Sequence, residues 1–344
     1  MSRMITIDGS FGEGGGQIIR TSLALSLITG QAVRIYNVRA RRDKPGLQRQ
    51  HLTAVNAAAE IGAAQVEGAQ VGAREFEFKP GQVKAGAYTF DIGTAGSTTL
   101  VLQTVLPPLM IADEPSLLTL RGGTHNVHAP PYEFLAQTFL PLVSRMGPRL
   151  AIELVRYGFY PPGGGQLNVF IEPAQLARLD LRERGAFIGQ RARALVIKLP
   201  PQIAERELSI VREQLGWTEE QLQIETSNNA LSSGNVLTLA FESAQLTEII
   251  TGMGERGVRA ETVAERACAE AREYLAHDAP VGAHLADQLL IPLALAGGGS
   301  YTTGPLSLHT TTNIEVIKKF LPVEISTQEL TRGTWLVEVQ RRGL

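Results

Sequence analysis

The stretch SLHTTTNIEV, Ser307 to Val316, sets one imidazole, His309, ahead of three threonines and a helical run. A neutral imidazole is the usual form at pH 7, since its reference pKa is about 6.5. Such a group can attack phosphorus, and the phosphoramidate formed is a good donor once protonated. TNIE at 312–315 has capping-box spacing, with Thr312 as cap and Glu315 reaching back. His309 is therefore expected in a loop, three residues before the helix, where no apolar face demands it.

A second group of candidates lies in GEGGGQIIR, Gly12 to Arg20. The glycines let the backbone approach a ligand closely. Glu13 could hold a divalent metal, and Arg20, one turn into the next helix, could reach a phosphate. The run is not a Walker A loop, because no Gly-Lys-Ser/Thr ends it. Nor is it a dinucleotide fingerprint, because Gln17 stands where the third glycine belongs. VRARRDKPGLQRQH, Val38 to His51, crowds Arg39, Arg41, Arg42, Lys44 and Arg49 together. Arginine forks bind phosphate bidentately, although a charge run is equally read as a solvated face.

Three more stretches qualify. RGGTHNVHAPPYEF carries His125 and His128 three apart, but no third ligand accompanies them, so zinc is rejected. Its Pro130 and Pro131 open the next helix and offer a flat apolar surface to a base. VGAHLADQ places His284, Asp287 and Gln288 at a helix start, where Asp287 serves either the helix dipole or a ribose hydroxyl. RYGFYPPGGGQ, Arg156 to Gln166, echoes the first glycine loop but reads as a turn between antiparallel strands.

The elements that must position these residues follow a repeated order. Periodicity predicts strand 3–8, helix 16–29, strand 33–38, helix 48–62 and strands 64–68 and 74–79. The same β-α-β-α-β-β order returns as strand 87–92, helix 97–112, strand 116–121, helix 131–146 and strands 149–156 and 166–172. After residue 280 most of it recurs: helix 283–296, strand 299–303, helix 313–320 and strands 322–327 and 333–340. The first strand of that third unit is expected near 180–190. Between about 185 and 278 the glycine-rich loops stop and Glu and Arg rise. ARALVIKLP, LQIETS and NVLTLAFES read as strands, and QIAERELSIVREQLG and ETVAERACAEAREYL as helices. This is an inserted α/β domain at 185–278, and the main domain is 1–184 with 279–344. Apart from RYGFYPPGGGQ, every unusual motif falls at a strand-to-helix turn, where N–H groups and the helix dipole favour anions. Packed about one axis, these turns would line one cleft.

Composition agrees with a globular chain: 344 residues, 44% hydrophobic and 19% charged. Its 32 basic and 34 acidic residues give a net charge of −2, so nucleic-acid contact would need a local patch. The single cysteine, Cys268, excludes an intrachain disulfide and a Cys-rich zinc site, and reads as a small core residue. TTLVLQTVLPPLMIAD is broken by Gln103 and two prolines and is too short for a bilayer. MSRMITIDG has no apolar run behind its arginine. No signal peptide or membrane is expected, and the cytoplasm is the expected location.

As a set, GEGGGQIIR, KPGLQRQHL, IGTAGSTTLVLQTVLP, GGT with APP, RYGFYPPGGG, LADQL and SLHTTTNI resemble the RNA 3′-terminal phosphate cyclases. The resemblance covers almost the whole chain, insert included. It implies an α/β fold of the α+β type, with a main domain of three βαβαββ repeats, each like the C-terminal domain of translation initiation factor three. The insert is implied to be a small thioredoxin-like α/β domain. The implied reaction uses ATP and Mg²⁺ (or Mn²⁺) to turn the 3′-phosphate of an RNA into a 2′,3′-cyclic phosphate. It proceeds through a covalent histidine-AMP and an RNA-adenylate, and a homodimer is compatible with it. Position by position, the resemblance makes His309 the adenylylated histidine and Glu13 the metal ligand. Arg20, Arg39, Arg42, Gln50 and His51 match the phosphate-binding wall. Gln103, Pro131, His284, Asp287 and Gln288 match the adenosine pocket.

Two positions depart from the family pattern. His284 stands where a tyrosine can stack on adenine, and a histidine stacks with less area. His125 stands where an acidic residue is expected. Three other readings share features of the sequence: a non-catalytic cyclase-like ribosome-assembly factor, an enolpyruvyl transferase built from similar repeats, and an RNA-end-binding protein using the arginine cluster alone. The first would lack His309 and Glu13, and the second would lack SLHTTT.

Overall fold

The computed structural model describes residues 4–343. The expected start of the first strand at residue 3 lies outside them. Unit one runs β1 (Ile5–Asp8), α1 (Gly16–Thr29), β2 (Val33–Tyr36), α2 (Arg49–Ile61), β3 (Gln65–Glu67), β4 (Phe76–Lys79). Unit two runs β5 (Ala87–Asp91), α3 (Thr98–Leu109), β6 (Ser116–Gly122), α4 (Tyr132–Phe134), a π-helical segment (Leu135–Phe139), α5 (Leu140–Ser144), β7 (Arg149–Arg156), β8 (Gly165–Glu172). Unit three opens with β9 (Leu179–Leu181), which is followed by the insert.

The insert comprises β10 (Phe187–Ile197), α6 (Gln202–Leu215), β11 (Leu222–Ser227), β12 (Gly234–Ser243), β13 (Thr247–Met253) and α7 (Ala260–Leu275). Unit three then resumes with α8 (Ala283–Gln288), α9 (Leu290–Leu295), β14 (Gly298–Thr303), α10 (Leu308–Phe320), β15 (Val323–Thr331) and β16 (Thr334–Arg341).

Strand pairing reveals the repeat. The three main sheets have the orders β1-β2-β4-β3, β5-β6-β8-β7 and β9-β14-β16-β15. In each, the first pair is parallel and the other two are antiparallel. A parallel pair needs a crossover, and in each unit a helical connection provides it. The fourth sheet, β11-β10-β12-β13, belongs to the insert, with β10 and β11 parallel across α6. That βαβ-ββα layout is the thioredoxin-like pattern expected. Strand β13 is absent from the sequence reading.

Helix α1 is the central strut. Every residue from Gln17 to Leu27 except Arg20 is buried, because α1 packs against α3, α10 and α2. A helix covered on most sides is mostly apolar, and of the polar residues it buries, Thr21 and Ser26 are hydrogen-bonded while the Ser22 hydroxyl has no partner. Thr21 Oγ1 donates to Asn313 Oδ1 at 2.7 Å, and Asn313 Nδ2 donates to the Asp287 carbonyl at 2.8 Å. These two bonds tie α1, α10 and α8 together at the end where the loops gather.

The main core runs through all three units, from Ile18 and Phe76 to Phe134 and Tyr301. A second core, including Trp217, Phe241, Cys268 and Tyr274, lies within the insert. Burial pushes the Cys268 thiol up to about 11, so it behaves as a small core residue. Among the described residues, no helix is long and apolar enough to cross a membrane.

Three expected helices are altered. The helix expected at 131–146 contains the π-helical segment Leu135–Phe139, and that expected at 283–296 divides into α8 and α9. The third, α10, begins at Leu308 rather than at residue 313. Its N-cap is Ser307, whose side chain accepts from the Thr310 N–H at 3.1 Å. Thr312 is not the cap: its hydroxyl faces the glycine loop. Glu315 pairs with Lys318 at 3.2 Å instead of reaching back.

Candidate active site

His309 stands in the first turn of α10, not in the loop before it. The loop before α1 is held against it. Glu13 N–H donates to Thr312 Oγ1 at 2.9 Å. This closeness requires Gly12, whose φ is +54° and on which a Cβ would lie 2.1 Å from Thr312 Oγ1. The Glu13 side chain is 9% exposed. It accepts from the Gly15 N–H at 2.7 Å and forms an ion pair with Arg42. Glu13 Oε1 lies 4.0 Å from His309 Nε2.

On the other side of the ring, His309 Nδ1 lies 3.2 Å from Gln17 Oε1. Gln17 is buried, and its Nε2 donates to Asp287 Oδ2 at 2.5 Å. Arg20 donates through Nε to Gln103 Oε1 at 3.1 Å. Five sequence candidates, Glu13, Arg20, Arg42, Asp287 and His309, thus surround one cleft. They come from strand-to-helix turns and the first residues of the helices that follow, in units one and three. Gln17 joins them and was missed by sequence reasoning. Its signal was its place in GEGGGQ, read only as a missing glycine.

Electrostatics favour an uncharged imidazole. Burial depresses the His309 pKa below its ordinary 6.5, and Arg20, His284 and Arg42 lower it further. Asp287 is pushed up to about 6 by burial, against His284 and Arg20, so it is largely ionised at pH 7. Burial draws Arg20 down to about 10, still a full cation at neutral pH.

The second turn of unit one supplies a wall. Gln50 Oε1 accepts from the Ser97 N–H, the cap of α3, at 3.1 Å. His51 is buried, and its Nδ1 accepts from the Gln48 N–H at 3.0 Å. Burial, then Arg39 and Arg20, lower its pKa to about 3, so His51 is neutral. A Cβ on Gly16 would meet His51 Nε2 at 2.6 Å and Arg20 Nη1 at 2.8 Å, which shows how closely those groups converge. Arg39, at φ +51°, spends Nη1 on the Lys44 and Gly46 carbonyls at 2.6 and 3.0 Å, bracing the loop.

A cavity behind the cleft is lined by Arg20, Gln103, Asp287 and Gln288 together with apolar Leu106 and Ile291. Pro131 and His284 do not line it. Pro131 is buried at the start of α4. His284 is exposed on α8 and lies 3.3 Å from Glu270 of α7, whose hydrogen bond raises the imidazole pKa. His125 is committed elsewhere. Its nitrogens bond Thr124 and Glu133, each at 2.8 Å, while His128 is exposed.

Glu13 is the group suited to a metal. A single carboxylate, with no cluster of three ligating side chains among the described residues, suits a hard cation that keeps water and phosphate oxygens as its other ligands.

Fold and site together define a three-repeat α+β protein with one cleft of imidazole, carboxylate and guanidinium groups. The chain belongs to the RNA 3′-terminal phosphate cyclase family, whose model matches residues 11–327. An RNA 3′-terminal phosphate cyclase of Koribacter versatilis is 52% identical, over 99% of this chain and 97% of that one. One of Pseudomonas fluorescens is 50% identical over 97% of each. One of Salmonella typhimurium is 46% identical over 98% of this chain and 99% of that one. A solved EPSP synthase of Acinetobacter baumannii matches 98% of this chain and 64% of that one at 13% identity and a TM-score of 0.32, too weak a likeness to carry an argument.

Proposed function

We propose that this protein is an ATP-dependent enzyme of the cytoplasm that converts the 3′-terminal phosphate of an RNA into a 2′,3′-cyclic phosphate, with His309 as its nucleophile. The observation that carries the reading is the His309 ring held between Gln17 and Glu13, where burial and the nearby Arg20, His284 and Arg42 lower its pKa. The names of the relatives supply the substrate class.

In the first step, the Nε2 lone pair of His309 bonds to the α-phosphorus of ATP and pyrophosphate leaves. An oxygen of the RNA 3′-phosphate then attacks that phosphorus and expels the imidazole, giving an RNA-adenylate. Finally the 2′-hydroxyl attacks the RNA phosphorus, loses its proton and releases AMP. A phosphate monoester has no leaving group of its own at neutral pH, and adenylylation supplies one. The 2′-hydroxyl is already adjacent, so ring closure gains from proximity.

Arg20 and Arg42 are assigned to phosphate oxygens, with Gln50 and His51 completing the wall and Arg39 bracing it. Gln103, Asp287 and Gln288 are assigned to adenosine, with the apolar side of the cavity as the seat of the base; Pro131 and His284, which do not line it, are assigned to adenosine by the family resemblance alone. Glu13 is assigned to Mg²⁺ or Mn²⁺, which when bound offsets phosphate charge. We further propose residues 185–278 as an inserted domain.

The test is an RNA oligonucleotide with a labelled 3′-phosphate, incubated with ATP and Mg²⁺. The label should become resistant to phosphatase. A 2′-deoxy end should stop at the adenylate. Binding of the RNA without either product would point to the non-catalytic reading.

A further inference from the structure

We propose that Gln17 is the positioning residue of the nucleophile: its amide, oriented by Asp287, holds His309 in the Nδ1–H tautomer so that Nε2 carries the free lone pair. The inference rests on the reading of His309 as the nucleophile and adds the group that sets its proton. An amide has one donor end and one acceptor end. An ionised carboxylate only accepts, so Asp287 Oδ2, 2.5 Å away, must face the Gln17 NH₂. The Gln17 carbonyl oxygen is thereby turned to His309 Nδ1 at 3.2 Å. An oxygen there accepts, so Nδ1 carries the hydrogen.

The consequence is chemical. Nε2, the nitrogen on the Glu13 side of the ring, is left unprotonated. In the other tautomer Nε2 would carry the hydrogen and have no lone pair for phosphorus. Which imidazole nitrogen is protonated is set by the partner of the other. Gln17 cannot relay a proton as a carboxylate could, so its part is orientation alone. Two features keep the amide from turning. Gln17 is 6% exposed on the central helix, and Asp287 is fixed through its own carbonyl by Asn313.

Most charged groups around this chain act in the same sense; Glu13, which alone would draw a proton to Nε2, is instead engaged by Arg42 and the Gly15 N–H. Arg20 and His284 favour the ionised form of Asp287. Arg20, His284 and Arg42 disfavour protonation of His309, while Glu13 faces Nε2 from 4.0 Å. Protonation of Asp287 would let it donate to the Gln17 oxygen and release the amide to turn.

The test joins a spectroscopic and a kinetic measurement. In protein labelled with ¹⁵N-histidine, His309 is assigned by comparison with His309→Asn. Wild type should show Nδ1 protonated and Nε2 bare at pH 7.5. Gln17→Met, of similar length and without the amide, should show mixed tautomers with an unchanged melting temperature. Its rate of AMP attachment should fall about 10- to 100-fold, as when an imidazole loses the partner that orients it, with the KM for ATP within about two-fold. Gln17→Glu can share a proton with Asp287 while still accepting from Nδ1, and should recover within about ten-fold of wild type at pH 6. Asp287→Asn frees the amide to turn and should also mix the tautomers, which keeps the test open if Gln17→Met fails to fold. An Nδ1–H tautomer retained in Gln17→Met, or a loss confined to KM, would overturn the proposal. If wild type took up no AMP, the nucleophile reading would fail, while the tautomer measurement would still decide the role of Gln17.

Discussion

Replacing Glu133 with glutamine removes the charge from the join between unit two and the insert. Glu133 sits at the start of α4 and is 1% exposed. Its Oε2 meets His125 Nε2 at 2.8 Å, and its Oε1 is paired with Arg193 of β10. Arg193 also reaches Glu225 of β11 at 3.0 Å, so one arginine spans the two bodies. Burial alone would raise the Glu133 pKa, but His125 and Arg193 outweigh it and hold the carboxyl down to about 2, from an ordinary 4.5. At about 1.4 kcal/mol per pKa unit, this amounts to about 3 kcal/mol of folded-state preference for the anion. Removing one partner of a buried ion pair generally costs about 3–5 kcal/mol, the same order.

The sign follows from a depressed carboxylate pKa. The contribution is complete above the unfolded pKa near 4.5 and is lost as pH falls through about 2. Urea unfolding should therefore show Glu133→Gln about 3 kcal/mol less stable than wild type at pH 7. The gap should shrink to about half that near pH 3. A loss under about 1 kcal/mol at pH 7, or a gap independent of pH, would refute the reasoning.

Three further outcomes are expected. Gly12→Ala places a methyl against Thr312 Oγ1 at a φ of +54°, costing about 1–2 kcal/mol locally and displacing Glu13; AMP attachment should fall at least about ten-fold, and an unchanged rate would show that the loop tolerates the shift. The attachment rate should have its acid limb below pH 6.5, because the His309 pKa is lowered and the protonated ring has no lone pair; a limb centred above about pH 7 in an ATP-labelling profile would contradict the neutral ring. Glu13→Gln should raise the Mg²⁺ concentration needed for half-maximal labelling about ten-fold or more, and an unchanged titration would remove Glu13 from the metal.

Much of the architecture was legible because the signals are local. The strand and helix periods of units one and two, and the glycine turns between them, announce themselves within short windows. The three sheets then share one order because the order of elements is the same in each. What was missed depends on partners far along the chain. TNIE has the spacing of a cap, but the Thr312 hydroxyl is taken by Glu13, 299 residues away, and Ser307 caps the helix instead. Gln17 gains its meaning from Asp287 and His309, 270 and 292 residues distant. Strand β13 escaped notice because TEIITGM has no apolar–polar alternation: adjacent Glu248, Ile249 and Ile250 are all buried, so its pattern does not announce a strand.

The candidate site divides in the same way. Glu13, Arg20, Arg42, Asp287 and His309 converge, as the clustering of motifs at strand-to-helix turns suggested. Arg39 is nearby but is occupied with the carbonyls of its own loop, which no spacing rule reveals. His284 turns outward to Glu270 of the insert, a partner that exists only once α7 has packed beside α8.

The central claim is that the imidazole of His309 carries AMP. The most direct measurement is the intact mass of the purified protein after incubation with ATP and Mg²⁺ in the absence of RNA, beside His309→Ala. One AMP should be gained by the wild type and none by the variant, with the adduct labile to acid as a phosphoramidate is. AMP on the variant, or RNA cyclisation by a protein that never takes up AMP, would contradict the account.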